Sequence, residues 1–471
     1  MEHFDLCIIG SGSGNSLIDE RFDDLRIALI DRGTFGGTCL NVGCIPTKMF
    51  VLPADYAVSP LDARHVGVDL ALRGISFEAA RDRIFGRIDP IVASGREWRT
   101  TSANVTLFPY QASFLDAHSL QVGDYRLSAD RIVLATGSHP IVPPFPGMED
   151  PEVRRHIHTS DTVMRLPELP RRMVIIGGGY VAGEFAHIFS GFGAKVTVVH
   201  RSEALLRRED ADISHRFTDL LAARVPVRLN QHVVAIEKVD AGVEVVTEDA
   251  NGVEYTYPAD VVLIATGRHP NTESLNVRAA GVELDEDDYV VVDAHQRTTS
   301  PHIWALGDVS SHEQLKHVAN HEMRVVQHNL LHPDDLIESD HRFVPHAIFS
   351  HPQVASVGST EAALVAAGVD YVAASQDYGT VAYGWALEDR DHFVKLLGDR
   401  ETGQVLGAHI IGPQASTLLQ PLVQAMSFGL DAYSMARGQY WIHPALTEVV
   451  ENALLALHEA RTRPVAELGE A

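Results

Sequence analysis

Residues 4–15 read Phe-Asp-Leu-Cys-Ile-Ile-Gly-Ser-Gly-Ser-Gly-Asn, and residues 173–182 read Met-Val-Ile-Ile-Gly-Gly-Gly-Tyr-Val-Ala. Each is a short apolar run that stops abruptly at glycine, the pattern of a strand buried in a parallel sheet that turns at once into a helix. After the first stretch a second apolar run, Ile27–Ile30, ends at Asp31, so a βαβ unit closes with an acid 21 residues beyond Gly10. After the second stretch the next strand is Val196–Val199. Ala-Thr-Gly also occurs twice, at 135–137 and 265–267, each time behind an apolar run, Ile132–Leu134 and Val261–Ile264. This internal repeat predicts an α/β fold with two Rossmann-like dinucleotide-binding modules, the second nested inside the first.

Glycine at such turns lets the backbone pass close to a pyrophosphate, and the following helix offers it unpaired N–H groups. Gly10, Gly12 and Gly14 form the first turn, and Gly177, Gly179 and Ala182 the second. The first departs from the pattern at its third small position, where Asn15 stands in place of Gly or Ala. Looser or shifted packing of helix on strand is expected there. Asp31 can accept hydrogen bonds from ribose hydroxyls, which suits an adenosine without a 2′-phosphate. In the second module the strand end carries His200-Arg201 and no acid, and Arg207 follows. Two guanidiniums there suit a 2′-phosphate and predict NADPH. The bland alternative makes Arg207 and Arg208 solvated surface charges.

The whole chain has 471 residues, room for about three domains. With 45% hydrophobic and 21% charged residues it is composed as a globular protein, which argues against disorder. A net charge of −25, dispersed along the chain, repels nucleic acid and anionic membrane surfaces. No stretch of 18 apolar residues exists, so no transmembrane helix is expected. The start, MEHFDLCIIGSGSG, shows no secretory signal. Three cysteines make no disulfide framework, so the chain reads as cytoplasmic, where a disulfide would be catalytic rather than structural.

Between about 45 and 105 lies a helix-rich stretch with proline breaks at 46, 53, 60 and 90. Residues 225–259 alternate polar and apolar side chains around turns and read as a small antiparallel meander. From about 340, strand-like runs (Val354–Val357, Phe393–Leu397, Val405–Ile411) mix with helical ones (Thr360–Ala367, Ser416–Phe428, Leu446–Leu457), which predicts an α+β domain. The expected division is 1–150 and 271–340 for the first module and its central continuation, 151–270 for the nested module, and 341–471 for the last domain. The tail Arg461–Ala471 is expected to be flexible.

Chemistry concentrates in Gly36-Gly37-Thr38-Cys39-Leu40-Asn41-Val42-Gly43-Cys44-Ile45-Pro46-Thr47-Lys48. Two thiols separated by four residues can be structural thiols, half a zinc site, or an exchangeable disulfide. A metal needs more ligands, and the remaining cysteine, Cys7, lies in a buried strand, so no metal is expected. A Gly-rich turn at a helix start favours a thiolate at Cys44 and the redox reading.

This segment resembles the active-site segment of the pyridine nucleotide–disulfide oxidoreductases. The likeness continues at Ala265-Thr266-Gly267-Arg268-His269-Pro270-Asn271, at Ala305-Leu306-Gly307-Asp308 and at His443-Pro444-Ala445-Leu446-Thr447-Glu448. It implies FAD on the first module, held by Gly10, Gly12, Gly14, Asp31, Thr38, Lys48, Thr136, Gly137, Gly307 and Asp308. It implies NADPH on the second, held by Gly177, Gly179, Ala182, Arg201, Arg207 and Gly267. Cys44 is then the thiolate facing the flavin and Cys39 the thiol that attacks substrate. Lys48, paired with Glu184, lies beside the flavin. His443, oriented by Glu448, is the acid and base for the thiols and arrives from the second subunit of an obligate homodimer whose interface is the C-terminal domain. The implied reaction carries a hydride from NADPH through FAD to a Cys39–Cys44 disulfide and on to a small disulfide substrate.

Cysteine count narrows the family. No cysteine follows Cys44, so the C-terminal thiols of mercuric reductase and of the large thioredoxin reductases are missing. Lipoamide dehydrogenase, the runner-up, usually has an acid where His200-Arg201 stands. Glutathione and trypanothione reductases usually carry a longer, Ala-rich first helix. Here Asn15–Asp23 is short and acidic, which disfavours the carboxylates of glutathione disulfide and tolerates a neutral, hydroxyl-rich substrate. The opening I-I-G-S-G-S-G-N-S is similar to that of the branch acting on the disulfide of mycothiol, a cysteine joined to glucosamine and inositol. That resemblance implies mycothiol disulfide as substrate. A flavin-bound scaffold without turnover is the reading from another class, and Cys39, Cys44, His443 and Glu448 together argue against it.

Overall fold

The computed structural model describes residues 1–462. Its first sheet is built on Glu2–Ile9, flanked in parallel by Ile27–Ile30 on one side and Tyr125–Leu134 on the other. Val105–Phe108 extends it beyond Ile27–Ile30. Alternate residues of these strands are buried on opposite faces: Cys7, Ile9, Ala28 and Ile30 in one core, Leu6, Ile8, Ile27 and Leu29 in the other. Burial on both faces is what the unbroken apolar runs required.

The chain leaves this sheet at Leu134 and returns at Ile303–Ala305, which lies parallel to Tyr125–Leu134. In between it builds a second parallel sheet from Val227–Arg228, Lys195–Val199, Arg172–Ile176, Val261–Ile264 and Ile157–His158, in that spatial order. The meander expected over 225–259 is present as Gln231–Val239, Gly242–Asp249 and Glu254–Ala259, all antiparallel. A five-stranded antiparallel sheet follows, running from His346–Ile348 to Tyr371–Asp377 at its two edges and packed against the helix Thr447–Thr462.

The two Ala-Thr-Gly segments have a common explanation. Gly10 has φ +113°, and a Cβ there would sit 2.1 Å from the Ala135 carbonyl oxygen; Gly177 has φ +136°, with the Ala265 oxygen likewise at 2.1 Å. Each module thus closes its first turn onto the carbonyl of its own Ala-Thr-Gly, at a distance only glycine permits. Beyond each segment the chain enters a short strand, and these two strands, Ser138–Pro140 and Arg268–Pro270, pair antiparallel and join the modules. Asn271 fastens the joint through N–H bonds to the Thr136 and Gly137 carbonyls.

Two expectations need correction. The prolines do not break the helices: Cys44–His65 runs through Pro53 and Pro60, and Phe77–Thr101 through Pro90. A proline frees the carbonyl four residues back. Arg83 donates to the Met49 carbonyl at 3.2 Å, and the Ser59 hydroxyl to that of Tyr56 at 2.7 Å, so the two carbonyls freed in the first helix are re-paired. The departure expected at Asn15 takes the form of a shortened helix: after the first turn stands a 3-10 piece of four residues, Gly14–Leu17. At the C-terminus, Arg461 and Thr462 belong to the last helix, with Arg461 donating to the Arg400 carbonyl at 3.0 Å. The rest of the expected flexible tail lies outside the described residues.

Candidate active site

A cavity of about 590 Å³ opens along the ends of the first sheet. Gly10, Gly12, Asp31, Thr38, Cys39, Cys44, Lys48, Thr136, Gly137, Glu184, Gly307 and Asp308 all line it. Residues scattered over 299 positions of sequence are therefore brought to one place. At its floor Gly12 and Gly37 meet backbone to backbone; a Cβ on Gly37 would sit 2.6 Å from the Gly12 Cα. Gly137 faces open space. Asp31 accepts from the Ser11 N–H and hydroxyl at 2.7 and 2.5 Å and from the Gly33 N–H at 2.7 Å. It thereby fixes the turn while keeping acceptor capacity toward the cavity. Asp308 accepts from the Ser138 hydroxyl at 2.6 Å. A cradle of bare backbone with a carboxylate at a strand end fits a dinucleotide such as FAD.

Cys39 lies in the short helix Gly37–Asn41, and Cys44 is the first residue of Cys44–His65. Gly43 lets these helices meet, since a Cβ there would come 2.9 Å from the Thr38 carbonyl oxygen. Both thiols are free. The Cys39 S–H donates to Cys44, and this hydrogen bond, helped by the Lys48 charge and against the opposing effect of burial, brings Cys44 down to about 6. The same hydrogen bond, reinforced by burial, pushes Cys39 well above the usual thiol range. The pair is thereby polarised, with ionisation favoured at Cys44 and disfavoured at Cys39.

Lys48, one turn into the same helix, is bound to both oxygens of Glu184 at 2.8 and 2.9 Å. Glu184 is buried in the helix Tyr180–Gly191 of the nested module and also accepts from the Phe349 N–H at 2.9 Å. The Lys48 ammonium lies 4.9 Å from the centre of the Phe349 ring. Three parts of the chain thus converge on one ammonium next to the thiolate.

His443 and Glu448 are joined at 2.7 Å, and the Ala445 N–H holds the second carboxylate oxygen at 3.3 Å. The His443 side chain is 70% exposed, however, and lines no part of the cavity. Within one chain the imidazole and the thiols are apart, the arrangement required if the histidine serves another subunit.

The residues of the nested module expected to hold NADPH lie outside this cavity. Gly177 and Ala182 are buried, whereas a Cβ on Gly179 would meet nothing within 4 Å. Arg201 and Arg207 are exposed, with Arg207 donating to the Ser202 hydroxyl at 3.1 Å. Neither these five nor Gly267 line the cavity. Gly14 is absent from its lining too: a Cβ there would lie 2.9 Å from both Ile8 and Ala135 side chains, so this glycine packs helix on strand. Asn15–Asp23, expected to give the disulfide site an acidic wall, contributes nothing to this cavity. Leu17, Ile18 and Phe22 pull it into the core, and Asp19 is paired with Arg21 at 2.6 Å.

Lys316 and Tyr180 are among the lining residues that escaped the sequence reading. Lys316 donates to the Ser13 hydroxyl at 2.7 Å, and its charge favours ionisation of Cys39. Nothing around it in the sequence marks it. Tyr180 belongs to the nested module yet reaches the cavity of the first. Its signal was an aromatic residue directly after the last glycine of the second turn.

Residues 4–324 match the family described as pyridine nucleotide-disulphide oxidoreductase, and residues 344–454 match its dimerisation domain. The chain belongs to this family: it is a flavoprotein disulfide reductase using FAD and NAD(P)H, and it is a homodimer. Among its relatives, mycothione reductase of Mycobacterium tuberculosis is 48% identical, over 97% of this chain and 100% of that protein. Mitochondrial dihydrolipoyl dehydrogenase of Schizosaccharomyces pombe is 31% identical, over 96% and 89%. The solved structure of the HOCl-induced flavoprotein disulfide reductase RclA from Escherichia coli superposes with a TM-score of 0.83 at 28% identity, over 96% of this chain and 99% of that one. Among the described residues no helix is long and apolar enough to cross a membrane, and no group of three or more His, Cys, Asp or Glu could hold a metal ion.

Proposed function

We propose that this protein reduces mycothiol disulfide to mycothiol with NADPH, through FAD and the Cys39–Cys44 pair, in the cytoplasm. The observation that carries the reading is the polarised thiol pair, with Cys44 brought down to about 6 beside Lys48 and Cys39 held protonated. Support for the substrate comes from the 48% identical mycothione reductase and from the absence of any cysteine beyond Cys44. Residues 1–150 and 271–340 carry the FAD, 151–270 the NADPH, and 341–471 the dimer interface.

Bound FAD supplies the two-electron link between NADPH and the disulfide; Gly10, Gly12, Asp31, Thr38, Thr136, Gly137, Gly307 and Asp308 hold it. Gly177, Gly179, Ala182, Gly267, Arg201 and Arg207 hold NADPH, with the two guanidiniums on its 2′-phosphate. In the reduced protein Cys39 gives its proton to His443 of the partner subunit and attacks one substrate sulfur. The substrate S–S bond breaks and a Cys39–substrate mixed disulfide forms. The departing thiolate takes the proton back from that imidazolium, which Glu448 stabilises. Cys44 then attacks the Cys39 sulfur, releases the second product as a thiolate that takes its proton from solvent, and restores the Cys39–Cys44 disulfide.

The test is NADPH oxidation by the purified holoenzyme with mycothiol disulfide, glutathione disulfide and lipoamide, each repeated with NADH. Strong preference for mycothiol disulfide and NADPH is expected. Preference for lipoamide with NADH would refute the substrate and cofactor assignments together.

A further inference from the structure

A dinucleotide turn ordinarily presents the diphosphate to a helix of several turns, whose end N–H groups and macrodipole supply positive potential. In the first module that helix has shrunk to Gly14–Leu17, with an extended Ile18 behind it. Four residues carry little aligned dipole, so the turn that must hold two phosphate charges has lost its usual source of attraction.

A cation stands behind the shortened helix, at its carbonyl end. Arg99, in the last turn of Phe77–Thr101, is only 4% exposed. Its guanidinium donates to the Asn15 side-chain oxygen at 2.6 Å and to the Asn15 and Ile18 carbonyls at 3.0 and 2.9 Å. All three acceptors are neutral. Among the described residues no carboxylate forms an ion pair with Arg99; its remaining partner is the Trp98 ring, whose centre lies 3.9 Å from the guanidinium carbon. On the cavity side of the same turn Lys316 donates to the Ser13 hydroxyl at 2.7 Å. Ser13 to Asn15 are therefore gripped between two cations, one behind and one in front.

We infer that Arg99 is an electrostatic positioning residue for the FAD diphosphate, replacing the helix dipole that the shortened helix no longer supplies. Asn15 is the adaptor: its side-chain oxygen, absent from the Gly or Ala usual at this place, fixes the guanidinium against the turn. The counter-charge missing around Arg99 is then the diphosphate itself, acting through the low-dielectric interior.

The experiment measures FAD dissociation from diluted holoenzyme by the fluorescence of released flavin, with NADPH affinity as a control on the other module. Arg99→Gln keeps hydrogen-bonding capacity and loses the charge; Arg99→Lys keeps the charge and loses the planar fork. The expected result is an FAD Kd raised at least about tenfold in Arg99→Gln, about 1.4 kcal/mol, and no more than about threefold in Arg99→Lys. NADPH affinity is expected to stay unchanged in both. An Arg99→Gln protein that holds FAD within threefold of the unsubstituted chain overturns the inference. So does an Arg99→Lys protein as weak as Arg99→Gln, which would make Arg99 a shape-filling cap of two carbonyls. If Arg99→Gln does not accumulate, Asn15→Gly decides: loss of FAD affinity supports the adaptor role, and equal or tighter binding refutes it.

Discussion

Replacing Cys39 by alanine removes the largest influence holding the Cys44 thiol low, the S–H bond donated to its sulfur. A hydrogen bond to a charged group contributes about 1.5–3 kcal/mol, and one pKa unit corresponds to about 1.4 kcal/mol. Cys44, at about 6 in the intact pair, is therefore expected to rise by about one to two units, to roughly 7–8. It stops short of the ordinary thiol value because Lys48 and the helix start still favour the anion. At pH 7 the thiolate fraction falls from about nine-tenths to between about one-half and one-tenth. The assay is the pH dependence of iodoacetamide alkylation at the Cys44 peptide, read by mass spectrometry, in the reduced intact protein and in Cys39→Ala. Cys7 is buried with its pKa driven far up and stays unreactive. An inflection that remained near 6 in Cys39→Ala would show that the pair is not polarised by its internal hydrogen bond.

His443→Gln should lower disulfide turnover by about 10²- to 10⁴-fold while leaving NADPH reduction of the flavin intact, since the imidazole handles only thiol protons; slowed flavin reduction would contradict this. Lys395, 4% exposed, binds Asp210, Asp212 and Glu361 at 2.8, 2.6 and 2.6 Å between the nested module and the C-terminal sheet. Lys395→Met strands the buried Asp210 and should cost about 3 kcal/mol, a Tm lower by about 3 °C by calorimetry; an unchanged Tm would refute the interlock. His346 and Glu209 meet at 2.7 Å; burial opposes both charges, but the hydrogen bond between them prevails, raising the histidine and lowering the carboxylate. The histidine's contribution is complete below its ordinary 6.5 and is lost as pH rises through its elevated value; the carboxylate's is complete above 4.5 and is lost as pH falls through its lowered one. His346→Gln should therefore flatten the fall of Tm on the alkaline side of 6.5, and a limb as steep as before would exclude the pair.

What the sequence disclosed were features written in a few adjacent residues. The apolar runs ending in glycine, the two Ala-Thr-Gly segments and the thiol-bearing stretch each carry their own geometry, and the structure sets them where the spacing required. Lys48 and Glu184 could be paired in advance only through the family likeness, because 136 positions separate them. What stayed hidden depends on partners remote in sequence. Proline in a helix looks like a break until Arg83, 34 residues away, supplies a donor for the Met49 carbonyl. Asn15 looks like a defect until Arg99, 84 residues away, is seen to use it. Lys316 touches Ser13 across 303 positions. In the segment after Asn15, Leu17, Ile18 and Phe22 turn into the core and Asp19 pairs with Arg21, a division that charge counted along the chain does not show.

The central claim is that Cys39 takes the substrate sulfur and Cys44 resolves the product. The most direct measurement uses Cys44→Ser, whose remaining active-site thiol cannot be displaced from a mixed disulfide. After incubation with mycothiol disulfide, intact-mass and peptide analysis should show one mycothiol attached to Cys39, released by dithiothreitol, and the Cys39→Ser protein should carry none. A mycothiol adduct on another residue, or none on Cys39 while mycothiol is still released, would contradict the account.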